Sequence, residues 1–485
     1  MNVLAIDQGT SATKALLVGP ANDGALEVLG RASVPVRTRS VGADGVEADP
    51  EELFGSVVAA GRQALAAAGG APAHAVALAN QGETVLAWDR RTGRPLTPAI
   101  VWQDRRSGGV CARLADRSAE LTAITGLPVD PYFAAPKMTW LRENLTADGT
   151  VTTTDSWLLA RLGAGYVTDA ATASRTLLLD LDRAAWSQTA CAAFGLDPAA
   201  LPEVADCAGV VGETPVFGGG AFGGSLPVAG IAVDQQAALL AEGCLAAGDA
   251  KCTYGTGAFL LVTTGCSAVR SGSGLSASVA WRLGGAVTYC LDGQVYTAGS
   301  ALRWLSSAGV LREPGELDAV GGSVPDAGGL TFVPALAGLG APHWAPDARG
   351  LLTGLHLGTT RGHIARAVAE GIAASVALLV AAAIADLGRP LTALRVDGGL
   401  TRSRLLMQAQ ADLLQVPVLI CRSPDATAIG VAALARLGLG EAASVAEAVG
   451  PAEVEMVVEP SITADQAAER LGAFRTALDL TLAPR

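Results

Sequence analysis

The chain opens on an unbroken apolar run. Val3 to Ile6 shows no polar alternation, so it reads as a strand covered on both faces. The run stops at Asp7 and the turn "DQGTSAT"; Lys14 to Val18 then reads as a second, largely apolar strand. Further on, "EELFGSVVAAGRQALAAAGG" has helical spacing and ends in a glycine pair, a stop signal. "AVALANQGETVLAWD" returns to a strand and a turn. Near the middle, a Gly-rich loop leads to an apolar strand, then Asp234 and Gln235, then a helix. "KCTYGTGAFLLV" follows as strand, Gly-Thr-Gly turn and strand, and "LRVDGGLTRSRLLMQAQADLL" as strand, glycine pair and helix. The longest apolar run, "VALLVAAAIA", is too short to span a bilayer and predicts a core helix. "EAASVAEAVGPAEVEMVVEP" predicts a surface helix and an edge element. Strand and helix signals alternate throughout, so the class is α/β.

The opening turn admits two readings. One is a tight hairpin in which Gly9 takes a backbone shape other residues resist. The other is a phosphate cradle, with backbone N–H groups and the hydroxyls of Thr10, Ser11 and Thr13 aimed at one anion. The stretch alone does not choose between them. Its echo in "TYGTGAF" adds weight to the second: a strand, a Gly-Thr turn and a strand open each half, as in a duplicated domain. Two such turns facing each other across a cleft would hold a polyphosphate from both sides. At Gly398 and Gly399 the backbone can approach a flat or charged ligand, and the following helix adds positive potential. There is no GxxxxGK followed by Ser or Thr, which excludes a P-loop. No GxGxxG stands between strand and helix with an acid downstream, which counts against a dinucleotide fold.

Composition narrows the class. At 485 residues the chain needs two or three domains, and half its residues are hydrophobic, as in a well-packed enzyme. A formal net charge of −12 argues against nucleic acid and anionic membranes as partners. An acidic protein that binds a polyphosphate needs local donors and a divalent cation. No signal peptide is expected, and the eight scattered cysteines read as buried thiols of a reducing compartment, not a disulfide framework or zinc site. A cytoplasmic enzyme is the default expectation.

The segments "DQGTSATK", "IVWQDRR", "TDAATASRTLLLD", "VDQQAAL", "TYGTGAF", "FVPALAGLGAPHW" and "LRVDGGL" follow one another in the order seen in the FGGY carbohydrate kinases. The chain resembles that family over nearly its whole length, its glycerol kinase branch most of all. The resemblance implies two actin-like (ribonuclease H-like) ATPase domains with a cleft between them. Residues 1–244 would carry the polyol pocket and first phosphate hairpin, and 245–485 the second hairpin and adenosine site. It implies ATP and Mg²⁺, with Asp7 positioning the metal and Thr10, Ser11, Lys14 and Thr256 holding phosphates. Gly299 and Gly399 would line the adenosine site, near Arg303 and Ser403. Glu83, Trp102, Tyr132, Asp234, Gln235 and Phe259 would line the polyol pocket, with Asp234 as general base. The chemistry agrees. A carboxylate beside phosphates requires a cation between them, and transfer to an alcohol requires a base within reach of its hydroxyl. Carboxylates and amides bind hydroxyls while aromatic rings cover C–H faces. A hinged closure would exclude water.

The sequence also departs from the family. The polyol-binding segment, usually Asn-Gln-Arg-Glu, reads "NQGE", with Gly82 where an arginine would offer a fork of donors. Weaker binding of a small triol and room for a larger acceptor follow; a pentulose or tetritol is the alternative substrate class. Arg303 stands where Gln is common and Ser403 where Asn is, which bears on the nucleotide. The loop "GAFGGSLPVAG" lacks the histidine and the arginine through which some relatives are controlled. A non-catalytic actin-like nucleotide switch would use the same two hairpins, yet it needs no polyol pocket. Dimers or tetramers are common in the group, and no motif here selects a homodimer or homotetramer. His343, "RTGRP" and "QDRRSGG" read as structural: a hydrogen-bonded loop residue and solvated turns.

Overall fold

The computed structural model describes residues 1–20, 26–218, 224–422 and 425–483. The expectation for the loop "GAFGGSLPVAG" therefore lies partly outside the described residues. Two mixed sheets carry the molecule. The first is built from β1 (Val3–Gln8), β2 (Ala12–Pro20), β3 (Leu26–Pro35), β4 (Ala75–Asn80), β5 (Ala208–Thr214) and β6 (Leu226–Val233), with α1 (Pro50–Ala67) packed on β1, β2 and β3. Its order is β5-β6-β4-β1-β2-β3, with β1, β4 and β6 parallel and the remaining neighbours antiparallel. α2 (Asp234–Ala241) leaves β6 directly.

The second sheet contains β7 (Ala250–Tyr254), β8 (Ala258–Gly265), β9 (Ser276–Leu283) and β10 (Ala286–Val295). After α3 (Gly299–Ser307) and the 27-residue α4 (Arg361–Leu387) come β11 (Leu394–Asp397), α5 (Arg404–Leu414), β12 (Val418–Cys421), α6 (Ala426–Gly438) and β13 (Val454–Val458). The order is β9-β10-β8-β7-β11-β12-β13, again with three parallel strands, β7, β11 and β12. Strand for strand, β7, β8, β10, β11, β12 and β13 repeat the placement of β1, β2, β3, β4, β6 and β5. The duplication suggested by the two Gly-Thr turns is thus present in the topology, with β9 an added edge.

Burial explains the unbroken apolar runs. β1 and β4 lie inside the first sheet with helices on both faces, so Val3, Leu4, Ala5, Ile6 and Ala75 to Ala79 are inaccessible or nearly so. α4 contains "VALLVAAAIA" and is the one described helix long and apolar enough to cross a membrane, but it is largely buried in the second core. α6 belongs to the second half by sequence yet packs on β1, β4, β5 and β6 of the first sheet and across α2. Gly430 permits that crossing: a Cβ there would lie 1.9 Å from the Ala237 carbonyl oxygen.

Several expectations need correction. "QDRRSGG" is no solvated turn: Asp104 is buried, accepts from the Val46 N–H and Arg106, and Arg106 also reaches Glu47. Charges that look solvated in sequence pair here with a neighbouring strand. The His343 imidazole is half-buried and its Nε2 has no hydrogen-bond partner among the described residues, while its backbone N–H donates to the Gly340 carbonyl. Cys266 is exposed, and Cys111 and Cys421 are partly so, whereas the other five cysteines are buried; none is in a disulfide. The predicted surface helix shrinks to Val445–Val449, with Ala448 and Val449 buried; β13 does form the sheet edge.

Candidate active site

Both Gly-Thr turns open into one cavity of about 450 Å³. Thr10 and Ser11 border it from the β1–β2 turn, and Gly255 and Thr256 from the β7–β8 turn. Gly82, Glu83, Trp102, Tyr132, Asp234, Gln235 and Phe259 line the same cavity. Ten of the sequence-predicted residues therefore converge, from segments spread over most of the chain.

The three aromatic residues form one wall. The Trp102 ring stands edge-on to Tyr132 and Phe259, with centroids 5.7 and 6.0 Å away. Its indole N–H donates to the Thr10 hydroxyl at 2.9 Å, and Thr10 donates to Gln81 Oε1 at 3.0 Å. The first turn and the aromatic wall are thereby one hydrogen-bonded unit. Tyr132 is fixed from behind by Lys137, fully buried, whose ammonium donates to the carbonyls of Pro131, Tyr132 and Phe133. Burial brings that lysine down to about 8.

Asp234 is the first residue of α2, where the strand-to-helix junction turns its side chain into the cavity. Its Oδ1 accepts from the Gln235 N–H at 2.7 Å. Burial raises its carboxyl to about 7, with Asp7 and Glu83 adding repulsion against a smaller opposing pull from Gln235 and Lys251. Asp7 is likewise raised to about 6, chiefly by burial, with Lys14 pulling it down and the Asp425 charge pushing it further up. Lys14 sits opposite Asp7 in the β1–β2 register, 3.7 Å from Asp425. The repulsion that Asp7 exerts on Asp234 makes a place where a cation is favoured. Among the described residues no group of three or more His, Cys, Asp or Glu forms a metal cage.

Glu83 is held in an uncommon state. Its φ is +60°, the left-handed region, which costs a non-glycine residue of order 1–3 kcal/mol and tends to mark functional positions. A buried guanidinium, Arg175, donates from Nε to Glu83 Oε1 at 2.7 Å and from Nη1 to Asp292. At Gly82 a Cβ would lie 3.0 Å from Val233 Cγ2, so Val233 already occupies part of the space a side chain there would need.

The remaining predicted residues sit elsewhere. Thr13 points away from the cavity: it is buried and bonded to Ser56 on α1 at 2.6 Å, because strand alternation sends it to the opposite face from Thr10's neighbours. Gly299 backs onto the second turn, its N–H donating to the Gly255 carbonyl, and a Cβ there would lie 2.6 Å from that oxygen. Gly399 faces open space and Arg303 is exposed. Ser403 caps α5, accepting from Leu406 N–H and donating to Asp318. These four, with Asp7 and Lys14, do not border the cavity itself. Sequence reasoning missed Arg175, Asp292 and Lys251. The last is fully buried under the cavity floor, donating to Gln235 Oε1 at 2.9 Å and Thr253 at 2.6 Å. A charged residue inside an apolar strand was the available signal for Lys251 and Asp292. Arg175 had only its place in "ASRT".

Comparison with known proteins settles the family. The model for the FGGY family of carbohydrate kinases, N-terminal domain, matches residues 2–241, and that for the C-terminal domain matches 250–439. This chain belongs to the FGGY carbohydrate kinases. It is 44% identical to a glycerol kinase of Thermus brockianus over 452 residues, 90% of each chain, and 42% identical to one of Aromatoleum aromaticum over 98% of each. The crystal structure of Plasmodium falciparum glycerol kinase with ADP superposes with a TM-score of 0.90 at 28% identity, covering 100% of this chain and 99% of that one. A xylulose kinase from Rhodospirillum rubrum gives 0.86 at 26%, covering 99% of each. The kinase is ATP-dependent, glycerol kinase-like in sequence, and its acceptor is a sugar or polyol. A non-catalytic nucleotide switch is set aside.

Proposed function

We propose that the kinase transfers the γ-phosphoryl group of ATP to a terminal hydroxyl of a small polyol, with Asp234 as the general base. The observation that carries this reading is the shared cavity: Asp234, the aromatic wall and both Gly-Thr turns face one volume. Asp234 takes the proton of the acceptor hydroxyl as that oxygen forms its bond to phosphorus. Glu83 and Gln235 bind neighbouring hydroxyls, while Trp102, Tyr132 and Phe259 cover the carbon chain and keep water out. The backbone and hydroxyls at Thr10, Ser11 and Thr256, with Lys14, receive the phosphates, and the flanks of the second turn at Gly299, Arg303, Gly399 and Ser403 receive the nucleoside. Mg²⁺ held beside Asp7 would supply neutralisation of the phosphate charge. The carboxyl near pH 7 is what a base requires before the cation arrives, and the cation's field would bring it into its ionised form.

Glycerol is the first acceptor to test, because the curated relatives named above are glycerol kinases. A larger acceptor, a tetritol or pentulose, is favoured by one observation: Gly82 contributes no donor to the wall beside Glu83. The division at 244/245, a homodimer or homotetramer, a cytoplasmic setting and independence from nucleic acid and membranes belong to the same reading. It is supported by the gap between the two family matches and by the net charge of −12. The test is ADP release from ATP and Mg²⁺ with a panel from triols to hexitols and the matching ketoses. Acceptor-stimulated release by one or more panel members is expected; release indifferent to all of them would overturn the proposal.

A further inference from the structure

Glu83 forms a buried charged chain with Arg175 and Asp292, two residues to which the phosphoryl-transfer reading gives no role. Each is at least nine-tenths buried. Arg175 gives Nε to Glu83 and Nη1 to Asp292, and its guanidinium lies 5.8 Å from the Tyr132 ring centroid and 5.2 Å from that of Phe133. Its other terminal nitrogen, Nη2, has no hydrogen-bond partner among the described residues, and the side chain borders the cavity. Glu83 and Arg175 belong to the N-terminal family domain, while Asp292 is on β10 of the C-terminal one. The chain of charges therefore crosses from one half to the other at the acceptor wall. Ser278, also from the second half, adds a 3.4 Å hydrogen bond to Asp292.

We propose that Arg175 is a positioning residue for acceptor recognition. It locks the strained Glu83 in the orientation that meets the acceptor's hydroxyls. Through Asp292 it makes that lock depend on the two halves being together. A guanidinium can do this because its rigid fork addresses two carboxylates at once. The inference rests on the polyol kinase reading above.

Steady-state kinetics of Arg175→Met, Arg175→Lys and Glu83→Gln test it, with melting temperature as the fold control. Arg175→Met should raise the acceptor KM roughly 100-fold, as expected when a buried pair loses one member, while the ATP KM stays within about twofold. Arg175→Lys, which keeps the charge but not the fork, should fall between, at about tenfold. In a Glu83→Gln background, Arg175→Met should add no more than about twofold, because the two act as one unit. The idea is overturned if both KM values rise together with a lowered melting temperature, or if the Glu83 and Arg175 effects multiply. Should Arg175→Met not fold, Arg175→Lys decides: an unmoved acceptor KM refutes the proposal. A wild-type enzyme silent toward every polyol and ketose refutes the functional reading and this one with it; a responsive wild type with an unmoved variant refutes this one alone.

Discussion

The two Gly-Thr hairpins share a plan and differ in charge. In the first, Asp7 faces Lys14 across the strands; in the second, the place of Asp7 relative to the turn is taken by Thr253, which faces Phe259. The first turn spans four residues between Gln8 and Thr13, whereas the second spans three between Tyr254 and Ala258. The buried ion of the second hairpin is a lysine, Lys251, set below Gln235 rather than beside the turn. The two cradles thus share a backbone plan, while one sets an acid against a lysine across its strands and the other sets a threonine against a phenylalanine that lines the cavity. Both turns border the cavity, and each brings to it groups that the other lacks.

The sharpest way to break this contrast is to exchange the chemistry at equivalent places. Asp7→Asn should lower turnover roughly 10²–10³-fold, the scale for loss of one preorganised charge, whereas Thr253→Ala should cost less than about tenfold. Similar losses at both positions, read by ADP release, would mean that the hairpins are equivalent after all. Asp234→Asn should lower turnover by roughly 10²–10⁴-fold with the acceptor KM little changed, since the amide keeps the shape but takes no proton. Near-normal turnover there would place the base elsewhere.

Smaller effects separate cover from framework. Phe259→Ala should raise the acceptor KM by about tenfold and leave the melting temperature nearly unchanged, because that ring faces the cavity. Thr13→Val should do the reverse, losing about 1 kcal/mol of stability with its Ser56 hydrogen bond while both KM values hold.

The pH response is the mildest test. Asp7 and Asp234 have carboxyls raised to about 6 and about 7 in the folded protein, above their unfolded values. A raised acid binds a proton more tightly when folded, so its stabilising share is full below about pH 4 and disappears as pH climbs through about 7. Asp234→Asn should therefore melt progressively higher than wild type between about pH 5 and pH 8 in the absence of nucleotide. A constant gap across that range would show that Asp234 is ionised throughout.

Much of this was legible in the sequence, for physical reasons. Strands buried on both faces write themselves as unbroken apolar runs, which is why β1, β4, β6 and β8 could be read directly. Two of the cavity's polar residues, Glu83 and Asp234, adjoin those runs, as Asp7 does behind the first turn, so a polar residue at the end of an apolar strand was a usable signal. What escaped was long-range pairing. Arg175 meets Glu83 across 92 residues and Asp292 across 117, and no local pattern encodes either contact. Thr13 escaped for the opposite reason, since three hydroxyls in one short turn look alike until the pleat assigns each a side.

The path of α6 has a consequence for how the chain can be divided. Val431, Ala432 and Leu434 leave the half that encodes them and seal the far sheet, with Gly430 seated against Ala237. Severing the polypeptide near residue 245 would strip an apolar roof from one fragment and leave the other holding it over nothing. Expressed separately, the fragments should be sticky and prone to precipitate; made together in one cell, they should find each other and restore a working enzyme.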